Sequence, residues 1–244
     1  MQINDLGQQT SLVLWHTTGA DVFQVPGAII ARTGMREAYL NKIVVTEPLC
    51  KERVEELIAH PKLAGLSYSW MVSEKYHTDE VQMLLANCGF YPNTAMTTME
   101  YDLVNADAEG DDHQVLRSLS ITPMLSFWNE CFTFSENGAR SYYECMRNHF
   151  QGTDLCQYFA YSDDEPAGCG WLLVHNEVAG LFYIGTKLRA RNSGVGTNMV
   201  QTLLRQAKKR GCKKAALIAL PMAKSLYKRV GFVEYEKYTL FTPS

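Results

Sequence analysis

The sequence has no apolar run long enough to cross a bilayer as a helix, which argues against a helical membrane span. Its first residues, "MQINDLGQQT", lack the basic stretch followed by an apolar segment that marks a secretory signal, so a cytoplasmic location is expected. It has no Cys-x-x-Cys pair. The seven cysteines, Cys50, Cys88, Cys131, Cys145, Cys156, Cys169 and Cys212, are odd in number and scattered, which reads as reduced thiols and not as a disulfide framework. Metal-ligand spacing is also missing. Cys145 and His149 stand one helical turn apart in "CMRNH" but have no partner pair, so no metal is expected. Nor is there a large charge excess. A formal net charge of -3 gives no global attraction to nucleic acid or to acidic membranes. What remains is an ordinary globular composition, 46% hydrophobic and 20% charged, in 244 residues: long for one compact domain and suited to two small ones.

The sharpest break in composition is "VNADAEGDDH", acidic, rich in small residues and without apolar period. It reads as a linker over 104–113 between a first part, 1–103, and a second, 114–244. In the second part, "VLRSLSITPMLSFWNECF" and "GARSYYECMRNHF" read as two helices joined by a turn at Glu136-Asn137-Gly138. Three strands follow, "LCQYFAYS", "GCGWLLVH" and "VAGLFYIGT", with turns at Asp163–Pro166 and His175–Glu177. A helix from about Gly194 to Arg210 carries Val195, Met199, Leu203 and Ala207 on one face. Then come the strand "KKAALIAL", a helix opened by Pro221 and closed by Gly231, and the strand "FVEYEKYTLFT". The order ααβββ–α–β–α–β predicts an α/β fold, a mixed sheet with helices on its faces. The first part echoes this order. Its strands are "GAIIAR", "AYLNKIVVT", "LSYSWMV" and "TAMTTMEYDL", its helices "KERVEELIAH" and "TDEVQMLLANCGF", and its Gly89-Phe90 pair matches Gly231-Phe232, as in a diverged repeat.

The chemistry concentrates in "IGTKLRARNSGVGT". A strand enters a glycine-rich turn that opens a helix, and a helix N-terminus offers unpaired N–H groups and partial positive charge to an anion. Gly194 and Gly196 allow close approach of backbone to ligand, Asn192 tolerates a left-handed conformation, and Arg191, with Lys187 and Arg189 nearby, adds charge. The design suits a pyrophosphate. A P-loop would need a lysine between Gly196 and Thr197. A dinucleotide fingerprint would need a small residue where Met199 stands and an acidic end to the next strand, which instead reads Ala219-Leu220-Pro221.

Arg191-Asn192-Ser193-Gly194-Val195-Gly196 fits the R/Q-x-x-G-x-G/A motif of the GNAT acyl-CoA N-acyltransferases, with Thr186 five places before the arginine, as in many members. "SLYKRVGF" looks like that family's L-Y-x-x-x-G-F segment. The resemblance covers Val115 to the C-terminus. The first part is similar to the degenerate N-terminal module of two-module GNAT proteins, although Ser69-Trp70-Met71-Val72-Ser73 matches the module's W-W-x-x-P only in part. The resemblance implies a tandem GNAT-like fold and direct transfer of an acetyl group from acetyl-CoA to an amine of a small molecule or peptide. The backbone of Asn192, Ser193, Gly194, Val195, Gly196 and Thr197 would hold the pyrophosphate. Ile184-Gly185-Thr186 would pair with the pantetheine arm and polarise the thioester carbonyl, and Tyr227 would protonate the leaving thiolate. It implies no metal, no nucleic acid and no membrane partner, and is compatible with a homodimer. A non-catalytic CoA-binding or scaffold protein of the same fold is the alternative. No general base is legible: "GLFYIGT" has no carboxylate, and Glu177 lies in its leading turn. Phe127, Trp128, Phe134 and Glu136 are candidates for the acceptor pocket, though the aromatics read mostly as core. Leu220 stands where many members have a polar residue that meets CoA. The basic "RQAKKRGCKK" reads as a solvated helix end. The first part has acidic "TEPLCKERVEEL" in place of a glycine turn, with Glu47 set to repel phosphate, so one CoA per chain is expected.

Overall fold

A computed structural model describes residues 4–105, 115–118, 120–132, 134–146, 154–162 and 164–244. Most of the expected linker, with Asp163 and His149, lies outside these residues. The elements in chain order are α1 (Leu6–Thr17), β1 (Asp21–Val25), β2 (Ala28–Arg32), β3 (Asn41–Val45), α2 (Lys51–Ile58), β4 (Ser69–Ser73), α3 (Asp79–Asn87) and β5 (Phe90–Asp102), which complete the first half. The second half has β6 (Val115–Ser118), α4 (Met124–Cys131), α5 (Glu136–Met146), β7 (Leu155–Ser162), β8 (Glu165–His175), β9 (Val178–Thr186), α6 (Val195–Lys209), β10 (Lys214–Ala219), α7 (Lys224–Val230) and β11 (Val233–Pro243).

The strands form one mixed sheet in the order β1-β2-β3-β4-β11-β5-β10-β9-β8-β7-β6. The order shows an exchange. β5, the last strand of the first half, lies between β10 and β11, and β11, the last strand of the second half, lies between β4 and β5. β5 pairs with β10 from Asp102↔Lys214 to Thr97↔Ala219, and β11 pairs with β4 from Tyr238↔Ser73 to Phe241↔Trp70. Each half therefore needs the other's final strand to continue its hydrogen-bond ladder. Helices cover both faces. α6 lays Met199, Leu203 and Ala207 on one face of the second half, and α4 and α5 lay Phe127, Trp128 and Tyr142 on the other.

Three sequence expectations are corrected. The segment expected as one helix from Val115 is an edge strand, β6, followed by α4. Glu136-Asn137-Gly138 is not a turn but the first turn of α5, where Ser135 Oγ accepts from the Gly138 N–H at 3.0 Å. The first half also has a helix and a strand, α1 and β1, that the reading did not include.

α1 crosses the seam. Leu14 joins the aromatic cluster under α4 and α5, while Leu12 packs with Ile29, Val44 and Met71 of the first half. Its N-cap, Asp5, is buried and accepts three hydrogen bonds: from the Gln8 N–H at 3.1 Å, the Thr98 hydroxyl at 2.8 Å and the Tyr238 hydroxyl at 2.8 Å. Thr98 belongs to β5 and Tyr238 to β11, so one carboxylate ties the helix to both exchanged strands. Burial, then the Asp5 charge, pushes the Tyr238 phenol far above its ordinary range and keeps it a donor.

Gly7 lets α1 descend onto this seam. A Cβ there would lie 2.9 Å from Thr98 Cγ2 and 3.1 Å from the Leu217 carbonyl oxygen. In an exposed helix, Gly→Ala gains roughly 0.5–1 kcal/mol. Here Gly7→Ala should instead cost about 1–3 kcal/mol by overpacking against backbone. Urea unfolding of the two proteins checks the sign.

Candidate functional site

The site begins where β9 and β10 part. The two strands pair in parallel from Lys214↔Val178 only to Ala216↔Gly180. β10 continues on β5 to Ala219, and β9 continues on β8 to Thr186. Between them opens a wedge with the β9 residues 181–186 along one wall. Unpaired strand edge of this kind can receive an extended ligand through backbone hydrogen bonds.

β9 is irregular at the wedge. Its register on β8 shifts between Trp171↔Phe182 and Cys169↔Gly185, leaving Tyr183 and Ile184 opposite Gly170. This is a β-bulge, and Tyr183 adopts φ 47°, unusual for a residue with a Cβ. The Tyr183 hydroxyl donates to the Tyr142 hydroxyl of α5 at 2.8 Å, and the Cys169 thiol donates to the Tyr183 carbonyl at 3.1 Å. Burial pushes the Cys169 thiol well up, so it stays protonated and able to donate.

β9 runs into a short 3-10 turn at Leu188–Ala190 and then the glycine-rich turn. The Arg191 Nε donates to the Thr186 carbonyl at 3.3 Å, which accounts for the five-residue spacing between them. The Ser193 hydroxyl donates to the Ala190 carbonyl at 2.7 Å. Asn192 has φ 62° and Gly194 φ 86°, and Gly194 is the N-cap of α6. The first backbone bond of the helix is Asn198 N–H to the Gly194 carbonyl at 2.9 Å. Ahead of it, among the described residues, the N–H groups of Asn192 to Thr197 meet no acceptor outside the helix. They form a row of donors at a positive helix end, exposed from Asn192 to Gly194 and half-buried from Val195 to Thr197. A Cβ on Gly196 would crowd Leu226 Cδ1 at 3.1 Å and the Thr186 hydroxyl at 3.2 Å, so this turn, β9 and α7 close on one another through that glycine.

The cations expected around the turn are placed differently from one another. Lys187 turns away, pairing with Glu130 at 3.1 Å over the Phe127 ring, and Arg189 pairs with Glu165 at 3.6 Å at the surface. Only Arg191 stays on the turn. Tyr227 sits in α7, buried, its ring edge-on to Phe232 with centroids 5.9 Å apart. Its hydroxyl has no hydrogen-bond partner among the described residues. Burial, then the neighbouring Cys169, pushes its phenol far up. Gly231 caps α7 at φ 114°, with its own N–H and that of Phe232 both donating to the Tyr227 carbonyl.

Phe127, Trp128 and Phe134 are core, packed with Tyr142 and Trp171, and Glu136 lies at the exposed start of α5. Glu177 is at the far end of β9, paired with Lys213 at 2.9 Å. Leu220 is exposed beyond the end of β10. Sequence reasoning missed Tyr142 and Cys169 at the bulge. No local signal marks either, since Tyr142 lies 41 residues from its partner. In the first half, β3 leads into α2 through Thr46–Cys50, a turn without glycine, and the N-cap Cys50 makes no side-chain capping bond.

Comparison with known proteins fits this geometry. The model of the family described as acetyltransferase (GNAT) family matches residues 121–232. A search of curated proteins returns no match. Among solved structures, a GCN5-related N-acetyltransferase from Kribbella flavida aligns with TM-score 0.68 at 14% identity, covering 98% of this chain and 93% of that one. A functionally unknown conserved protein from Staphylococcus epidermidis aligns with TM-score 0.68 at 12% identity, covering 93% and 95%. A tandem GNAT protein from the clavulanic acid biosynthesis pathway aligns with TM-score 0.57 at 13% identity, covering 88% and 77%. With the glycine turn on α6 and the wedge beside β9, residues 121–232 match the acetyltransferase (GNAT) family, and nearly the whole chain shares the fold of GNAT proteins, a tandem one among them.

Proposed function

We propose that the protein is an N-acetyltransferase that moves an acetyl group from acetyl-CoA to an amine of a small molecule or peptide, in one site per chain held by the second half, 114–244. The observation that carries this reading is the row of free N–H groups from Asn192 to Thr197 at the mouth of the wedge. The pyrophosphate charge suits that row, and the pantetheine amides suit the unpaired edge of Ile184, Gly185 and Thr186. The first half, 1–103, has no such turn and supplies framework, joined to the second through 104–113.

Acetyl-CoA supplies an activated acyl group as a thioester. The chain's part is to orient it, to stabilise negative charge on the carbonyl oxygen through a β9 backbone N–H, and to deliver a proton to sulfur. The N–C bond forms as the C–S bond breaks, and the amine gives up one proton while the sulfur gains one. Tyr227 suits the role of acid. Its raised pKa keeps the phenol protonated, and its hydroxyl is not engaged elsewhere.

Gly194→Glu should weaken acetyl-CoA binding about a hundredfold or more, some 2.7 kcal/mol, measured by calorimetry. The left-handed backbone strains any side chain there, and the new carboxylate repels phosphate. Unchanged affinity would remove the site from this turn. Tyr227→Phe should lower turnover on the order of a hundredfold, followed as free CoA across a panel of primary amines, with acetyl-CoA affinity nearly intact. Equal turnover would take Tyr227 out of the mechanism.

The phenol also has a pH signature. A raised folded-state pKa means that its contribution to stability is complete below the unfolded value and is lost as pH rises through the folded one. At about pH 10, where a free phenol is half ionised, ultraviolet difference spectra of wild type against Tyr227→Phe should therefore show no tyrosinate from this residue.

A further inference from the structure

The bulge on β9 is held from two directions. Its side chain is fixed where the Tyr183 ring lies between Trp171, 4.4 Å between centroids, and Phe132, 5.4 Å, with its hydroxyl bonded to Tyr142 at 2.8 Å. Its carbonyl is fixed by the Cys169 thiol at 3.1 Å. A tyrosine at φ 47° is strained and persists only where the surroundings over-determine it. Tyr142 and Cys169 come from separate elements, α5 and β8, and converge on one residue, Tyr183, the first at its side chain and the second at its carbonyl.

That peptide has a direction. In a trans peptide the C=O and the following N–H point opposite ways. The Tyr183 carbonyl is turned toward the Cys169 thiol of β8, so the Ile184 N–H points away from that thiol. No β10 residue pairs with it, because the ladder ends at Gly180↔Ala216.

We propose that Tyr142 and Cys169 are positioning residues that lock the 183–184 peptide and thereby aim the Ile184 N–H at the acyl carbonyl oxygen. The proposal rests on the acetyl-CoA reading above and names which donor acts and what holds it. Neither Tyr142 nor Cys169 touches the acyl group. Each acts through the bulge. The Tyr142 hydroxyl is the far end of the link, so removing it frees the Tyr183 side chain. Removing the thiol frees the Tyr183 carbonyl to rotate, and the Ile184 N–H rotates with it.

The test needs no acceptor amine. Acetyl-CoA labelled with carbon-13 at the acetyl carbonyl is bound to the full chain, and the carbonyl stretch is read by isotope-edited infrared difference spectroscopy, with affinity measured separately by calorimetry. In the wild type the band should move to lower frequency on binding. Tyr142→Phe and Cys169→Ala should each lose most of that movement, with the dissociation constant changed by no more than about twofold. Cys169→Ser keeps a donor and should retain the shift, which also guards against reading a packing defect as loss of the lock. Tyr142→Phe combined with Tyr183→Phe should be no worse than Tyr142→Phe alone, since both remove the same bond. Binding without a band shift in the wild type, or a full shift in both Tyr142→Phe and Cys169→Ala, overturns the proposal and leaves the acetyl-CoA site standing. No calorimetric binding by the wild type overturns both.

Discussion

The exchange of final strands between the halves is the constraint on which everything else rests. A strand edge left bare inside a molecule carries unpaired N–H and C=O groups, each costly to bury. β10 would have such an edge without β5, and β4 would have one without β11. The Asp5 carboxylate marks the point of exchange. It binds the start of α1, Thr98 of β5 and Tyr238 of β11 together, and Thr98 also bridges the irregular pairing at Glu236, accepting its N–H at 3.1 Å. A buried carboxylate with three donors is a satisfied group. Removing any one donor would leave charge in an apolar seam.

The candidate site is built from departures from regularity. β9 and β10 separate, β9 bulges at Tyr183, and the turn after β9 passes through two left-handed residues, Asn192 and Gly194, before α6 begins. Each departure frees backbone groups that a regular sheet or helix would consume. The surrounding packing is correspondingly rigid. Met199 and Leu203 of α6 are fully buried beneath the sheet, and Trp128 and Trp171 are fully buried above it.

How much of this could be read beforehand divides along physical lines. β7 was legible to the residue because its apolar run is bounded by turn residues. α6 was legible because Met199, Leu203 and Ala207 repeat on one face, and the α7 cap because Gly231-Phe232 has a local signature. α1 was not legible because it buries Gln8, Thr10 and Ser11 as well as leucines, so no polar face contrasts with an apolar one. β6 was missed because it is short, lies at the sheet edge and buries only Val115. The strand exchange could not be read at all. Pairing β5 with β10 joins residues more than a hundred positions apart, and nothing in either strand names its partner. At the candidate site, the turn residues were readable as a motif, whereas the pairing of Lys187 with Glu130 was not, because the two are remote in sequence.

Between β3 and α2 the first half has no glycine in its turn, Thr46–Cys50, so it looks free to drift. Its last strand removes that freedom. Because β5 is an interior strand of the other half's sheet, a lesion beside Trp70 or Phe90 strikes strands that pair on toward β10 and the wedge. In a cell, such damage would surface as reduced abundance through proteolysis and chaperone triage. A genetic screen for lost function would then collect hits across the first half as well as around the glycine turn of the second.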